Sequence, residues 1–133
     1  MGLIRVLVVD DHEPFRKLIR SLLENSLVSI VGQASDGLEA VHKAALLQPD
    51  LILLDIDLPK LNGIRAAEQI REIAPQAKLL LLAQDNSPEV IQAALNIDVV
   101  GYLHKTFIHR DLLPAIESVL AGRRFVRTDP EVL

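Results

Sequence analysis

The sequence predicts a three-layer α/β domain, with a five-stranded parallel sheet between two layers of helices. Three observations carry that expectation. The apolar runs are short and barely alternate, as strands covered on both faces do. Each run is followed by a segment of helical period. The strand-then-helix alternation occurs five times in 133 residues, a length that suits one domain with a real apolar core.

The first strand is expected over 3–9, where Leu3, Ile4, Val6, Leu7, Val8 and Val9 run into Asp10 and Asp11. The period then changes, and Phe15, Leu18, Ile19, Leu22 and Leu23 form the apolar stripe of a helix whose other face carries Arg16, Lys17, Arg20 and Ser21. A second strand is expected over 29–34. Asp36 followed by Glu39 has the spacing of a capping box for a helix that buries Val41, Ala44, Ala45 and Leu47. Pro49 stops that helix and leads into a third strand over 51–54, ending at Asp55.

Asn62 and Gly63 open a third helix that reaches about Ile73, before Pro75. A fourth strand over 79–82 stops at Ala83, and Ser87 with Pro88 is expected to cap a helix with Val90, Ile91, Ala94 and Leu95 on its buried stripe. The fifth strand, over 99–103, is followed by Lys105. The last helix is expected from near Arg110 to Ala121, with Gly122 as its stop. Pro114 complicates its first turn, because it cannot donate to the Arg110 carbonyl.

Composition excludes several classes. Half the residues are apolar and about a quarter are charged, the balance of a globular domain rather than a disordered segment. A net charge of -4 gives no electrostatic reason to grip nucleic acid or an anionic membrane. With no cysteine there is no disulfide framework or thiolate site, and four scattered histidines do not make a zinc site. The start at Met1 lacks the pattern of a secretory signal, and no apolar run is long enough to span a membrane. A cytoplasmic location is the expectation.

In an open parallel sheet, ligands collect beyond the carboxyl ends of the strands. Asp10 and Asp11 follow the first strand, Asp55 the third and Lys105 the fifth, so residues distant in sequence are brought to one end of one sheet. Neighbouring carboxylates resist full ionisation unless a cation compensates them. Magnesium is the expected ion, since it takes oxygen ligands and keeps water, with manganese as the alternative. Asp10 and Asp11 can approach the ion directly or through water. Asp55 is placed to attack, while the ion and Lys105 neutralise charge on a transferring phosphoryl group. An acyl phosphate is the product. Pro59 and Gly63 are assigned to loop geometry.

These residues resemble the response-regulator receiver family, from about Leu3 to Ala121. The motifs are the Asp10-Asp11 pair, Leu53-Leu54-Asp55-Ile56-Asp57-Leu58-Pro59 with the later Asn62-Gly63, and Gly101-Tyr102-Leu103-His104-Lys105. The resemblance implies a doubly wound, flavodoxin-like sheet of order 2-1-3-4-5. It implies Asp55 as phosphoacceptor, Asp10 and Asp11 as the acidic metal-binding pair, and the backbone carbonyl of Asp57 as a further metal ligand. Lys105 would contact the phosphoryl group. Tyr102 takes the place of an aromatic that changes orientation on activation, the alternative being a half-buried ring that only packs.

Two departures stand out. The family normally has threonine or serine after the fourth strand, where its hydroxyl bonds a phosphoryl oxygen; here the residue is Ala83, followed by Gln84 and Asp85. Phosphorylation remains expected, with its coupling to the switch position Tyr102 in question and Gln84 as a candidate substitute. Asn96-Ile97-Asp98 replaces the usual small residue and glycine before the fifth strand. It makes either a different turn or a reshaped output face.

The segment from Ala115 to Phe125, with Pro130-Glu131-Val132-Leu133, resembles the receiver-to-linker region of the NarL/FixJ class. The expected organisation is a receiver domain over 1–122 and, over 123–133, the start of a linker toward a LuxR-type helix-turn-helix outside this sequence. That implies a two-component regulator phosphorylated by a sensor histidine kinase, with altered dimerisation or interdomain contact as the response. DNA would be bound only through the downstream domain. Such domains also assist hydrolysis of their own aspartyl phosphate without being metabolic enzymes. The alternatives are a phosphorylation-independent module for protein interaction and dimerisation, which Ala83 supports, and a phosphohydrolase of small molecules, which lacks a specificity loop.

Overall fold

The computed structural model describes residues 3–84, 88–97 and 101–126. Its elements are β1 (Ile4–Val9), α1 (Glu13–Leu23), β2 (Val28–Ala34), α2 (Gly37–Leu47), β3 (Leu51–Asp55), α3 (Gly63–Ile73), β4 (Lys78–Ala83), α4 (Pro88–Asn96), β5 (Gly101–His104), a 3-10 turn (Lys105–Phe107), α5 (Ile108–Leu120) and β6 (Phe125–Val126). All strand pairs are parallel and the sheet order is β2-β1-β3-β4-β5-β6. The five expected strands hold the expected order. The sixth is a short addition on the β5 edge, pairing Gly101 with Phe125 and Tyr102 with Val126.

Two cores follow from the alternation of side chains across the strands. Leu7, Val9, Ile52, Leu54, Leu79, Leu81 and Tyr102 face α2, α3 and α4, and Val6, Val8, Leu51, Leu53, Leu80, Leu82 and Leu103 face α1 and α5. Because β1, β3 and β4 are covered on both sides, polarity is confined to their ends. This is why their sequences read as apolar runs with charge only near the ends, as at Arg5 and Lys78.

The caps agree in part with expectation. Asn62 accepts the Arg65 N–H at 2.9 Å and Asp36 accepts the Glu39 N–H at 2.8 Å. The return half of the Asp36 box is displaced by one residue, since the Glu39 carboxylate accepts from the Ser35 N–H. Ala45 is exposed, and Ala40 takes the buried position on α2. The last helix begins at Ile108, ahead of the expected start, and carries Pro114 in its interior. Burial of Ile108, Leu112, Ala115, Ile116 and Val119 against β4, β5 and α1 outweighs the hydrogen bond that proline forfeits. The expected Ser87 cap, the start of the fifth strand at 99–100, Asp85, Asp98 and the linker from 127 onward lie outside the described residues. Among the described residues no helix is long and apolar enough to cross a membrane.

Candidate functional site: an acidic pocket with one lysine

The strand order reverses at β1, which lies between β2 and β3, so a crevice opens at the carboxyl ends of β1 and β3. Asp10 follows β1 directly and is fully buried, while Asp11 is exposed beside it. Asp55 is the last residue of β3 and only 2% exposed. The three carboxylates offer oxygens that all lie within 4.8 Å of one another. An all-oxygen set of this kind suits a hard divalent cation and lacks the nitrogen or sulfur that softer metals prefer.

Lys105 closes the pocket from β5. Its Nζ is 2.6 Å from Asp10 Oδ2 and 3.4 Å from Asp55 Oδ2. The Asp57 N–H donates to Asp55 Oδ1 at 3.1 Å, and the His12 N–H donates to Asp10 Oδ1 at 2.8 Å. Burial, with the Asp10 carboxylate second, pushes the Asp55 carboxyl up to about 6, against the opposing pull of Lys105 and the Asp57 N–H. Asp55 is therefore held largely out of water, with the Lys105 ammonium within reach, where charge interactions are stronger than in bulk solvent.

Close approach of the loops fixes these positions. A Cβ at Gly63 would sit 2.2 Å from the Asp55 carbonyl oxygen, and the Gly63 N–H donates to Ile56 O at 2.7 Å. Gly63 thus lets the start of α3 seat against the end of β3. Pro59 belongs to the same loop, its carbonyl accepting from the Gly37 and Leu61 N–H groups.

The pocket brings together Asp10, Asp11, Asp55 and Lys105, as the order of elements predicts. The Asp57 side chain is exposed and stands apart from the carboxylate cluster, so its contribution is through its backbone. Ala83 is 2% exposed at the end of β4, and Gln84 is exposed. Tyr102 is fully buried in the core beneath α4, which corrects the alternative of a half-buried ring.

Sequence reasoning missed two contributors. The Phe15 ring, read only as part of a core stripe, has its centroid 4.4 Å from Lys105 Nζ. Arg16, read as solvent-facing, donates from Nη1 to the Asp10 carbonyl at 2.5 Å and from Nε to Gln33 Oε1 at 3.2 Å. Both stand within the first turn after the Asp10-Asp11 pair. Proximity to that pair was the available signal.

A doubly wound parallel sheet whose switch point holds buried aspartates and a lysine defines a receiver domain. The chain belongs to the response regulator receiver domain family, whose profile matches residues 6–117. It is similar to the response regulator protein VraR of Staphylococcus aureus (strain NCTC 8325 / PS 47), with 37% identity over 131 residues, which is 98% of this chain and 62% of that protein. Among solved structures it is similar to a LuxR-family two-component response regulator from Aurantimonas sp. SI85-9A1, with TM-score 0.88 and 30% identity over 98% of this chain and 93% of that one. It is also similar to the signal receiver domain of the putative response regulator NarL from Mycobacterium tuberculosis, with TM-score 0.85 and 30% identity over 92% of this chain and 100% of that one. The chain spans about three-fifths of the curated relative's length, the 62% given above. Family and site together favour the receiver role over a phosphorylation-independent interaction module.

Proposed function

We propose that Asp55 accepts a phosphoryl group from a phosphohistidine of a sensor histidine kinase, in a cytoplasmic two-component regulator. The observation that carries this is the position of Asp55 itself, buried at the end of β3 with the Lys105 ammonium 3.4 Å from one oxygen. In the step, an Asp55 oxygen forms a bond to phosphorus as the phosphorus–nitrogen bond to the kinase imidazole breaks, and the imidazole leaves with its electron pair and takes up a proton. Lys105 meets the charge on the phosphoryl oxygens, which exchanges its pairing with Asp10 for one with the incoming group. The Asp57 N–H holds the other Asp55 oxygen in place.

Asp10, Asp11 and Asp55 are the residues that would hold magnesium, with the Asp57 backbone carbonyl as a further ligand and manganese as the alternative ion. When bound, the ion supplies Lewis-acid stabilisation to the transferring oxygens. Downstream, the proposed output is a LuxR-type helix-turn-helix in the longer protein, reached through altered homodimerisation or interdomain contact, with DNA bound only there. The first 122 residues form the receiver in this scheme, and residues 123–133 begin the linker. Ala83 has no hydroxyl to offer the phosphoryl group, so coupling from Asp55 to Tyr102 is weaker than in receivers with threonine there.

Intact-mass measurement after incubation with magnesium and a small phosphodonor tests the proposal. The native chain should gain one alkali-labile phosphoryl group and the Asp55→Ala variant none. An unmodified native chain, or an equally modified variant, would remove Asp55 from the role.

A further inference from the structure

Lys105 reaches its partners on a long stem, and the backbone at its Cα sets where that stem starts. That backbone is the first residue of the 3-10 turn Lys105–Phe107. Such turns have poor internal hydrogen-bond geometry and depend on their ends. His104 supplies the end. It stands at the cap position with extended backbone (φ -88, ψ 129), and its Nδ1 accepts the Thr106 N–H at 3.1 Å.

The imidazole is held as well as holding. It is 8% exposed, and its ring leans on Phe107 at 5.8 Å between centroids, tilted by 51°. Phe107 in turn has the Arg110 guanidinium 4.6 Å from its centroid. Strand register sets Ala83 beside His104 on the same face of the sheet, so the neighbouring position on β4 carries only a methyl group.

We infer that His104 is a positioning residue: by capping the turn that begins at Lys105, its imidazole directs the Lys105 ammonium into the pocket between Asp10 and Asp55. The effect on phosphorylation rate rests on Asp55 being the acceptor; the effect on Lys105 geometry does not. A side chain that merely fills space at the end of β5 could be exchanged for leucine without consequence. A cap could not, but asparagine would restore it, because its side-chain oxygen accepts from the same N–H.

The experiment compares His104→Leu and His104→Asn with the native chain by two readouts. The first is the NMR shift of the Lys105 ε-methylene protons, which the face of Phe15 shields because Nζ lies 4.4 Å from the ring centroid. His104→Leu should move this resonance toward that of an ordinary exposed lysine, and His104→Asn should keep it. The second is the rate of phosphorylation by a small donor, which should fall about fivefold in His104→Leu, recover in His104→Asn, and be insensitive to His104→Leu in a Lys105→Ala background. A folded His104→Leu protein with the native Lys105 shift would overturn the inference. So would a Leu variant whose rate loss multiplies with that of Lys105→Ala. If the native chain takes no phosphate, the proposed function fails while the Lys105 shift still decides the role of His104.

Discussion

Strands β3 and β4 lie side by side in continuous register from Leu51 with Lys78 to Asp55 with Leu82, and both are buried to their last residue. They end differently. β3 delivers the Asp55 carboxylate into a pocket with two further aspartates and a lysine, whereas β4 delivers the methyl group of Ala83. The residues proposed to form a phosphoryl bond, Asp10, Asp11, Asp55 and Lys105, stand at or just beyond the ends of β1, β3 and β5. Reading that bond through β4 needs a donor, and a methyl group has none. Under the proposed function the two tasks fall to two neighbouring strand ends, one carrying charged side chains and the other a methyl group.

The largest expected effect lies on the β3 side. Lys105→Ala should slow phosphorylation by roughly 10²-fold, as loss of a charge-stabilising donor does. It should also raise the Asp55 titration midpoint beyond its value of about 6, since the ammonium pulls it down. Rates from a small phosphodonor and the carboxyl carbon shift of Asp55 check the two outcomes. A native rate would break the assignment of Lys105 to the chemistry.

Asp55→Asn should stabilise the fold at pH 7. The Asp55 carboxyl rises from 3.8 to about 6 in the folded state, so the fold binds this proton more tightly than the unfolded chain does. Stability therefore falls as pH rises between those values, and the full penalty for the anion is present above about 6. Removing it is worth up to about 3 kcal/mol, read as a higher urea midpoint. At pH 3 the native chain and the variant should converge.

Magnesium should stabilise the native chain by about 2.7 kcal/mol at a hundredfold excess over its dissociation constant. Thermal unfolding with and without the ion measures this, and Asp10→Asn should abolish most of the response. Chelation should stop phosphorylation without unfolding the chain. Gly63→Ala should cost roughly 2 kcal/mol in urea unfolding, because its new methyl meets the Asp55 carbonyl oxygen and the Ile56 Cα, main-chain atoms that cannot step aside cheaply.

The sheet was legible in the sequence because burial on both faces leaves almost no choice of residue within β1, β3 and β4. The site was legible for the same reason: charges that interrupt such runs at Asp10, Asp55 and Lys105 can only lie at strand ends. What escaped was set by tertiary packing. The start of α5 moved to Ile108 because its apolar stripe continues past the position where Pro114 makes a helix locally unfavourable. Phe15 and Arg16 have two faces each in the sequence pattern, and only the crossing of α1 near the ends of β1 and β5 turns them toward Lys105 and the Asp10 carbonyl. β6 is two residues long and has no period to read.

The smallest expected effect is on the β4 side, and it bears most directly on the separation of forming from reading. The chain has one tyrosine and no tryptophan, so its intrinsic tyrosine fluorescence reports Tyr102 alone. Native and Ala83→Thr proteins are phosphorylated to equal stoichiometry, checked by intact mass, and their fluorescence is compared with that of the unmodified chains. We expect a small change in the native chain and a larger one in Ala83→Thr. An equally large change in the native chain would show that the signal leaves Asp55 without a hydroxyl on β4, and would contradict the division of tasks between the two strand ends.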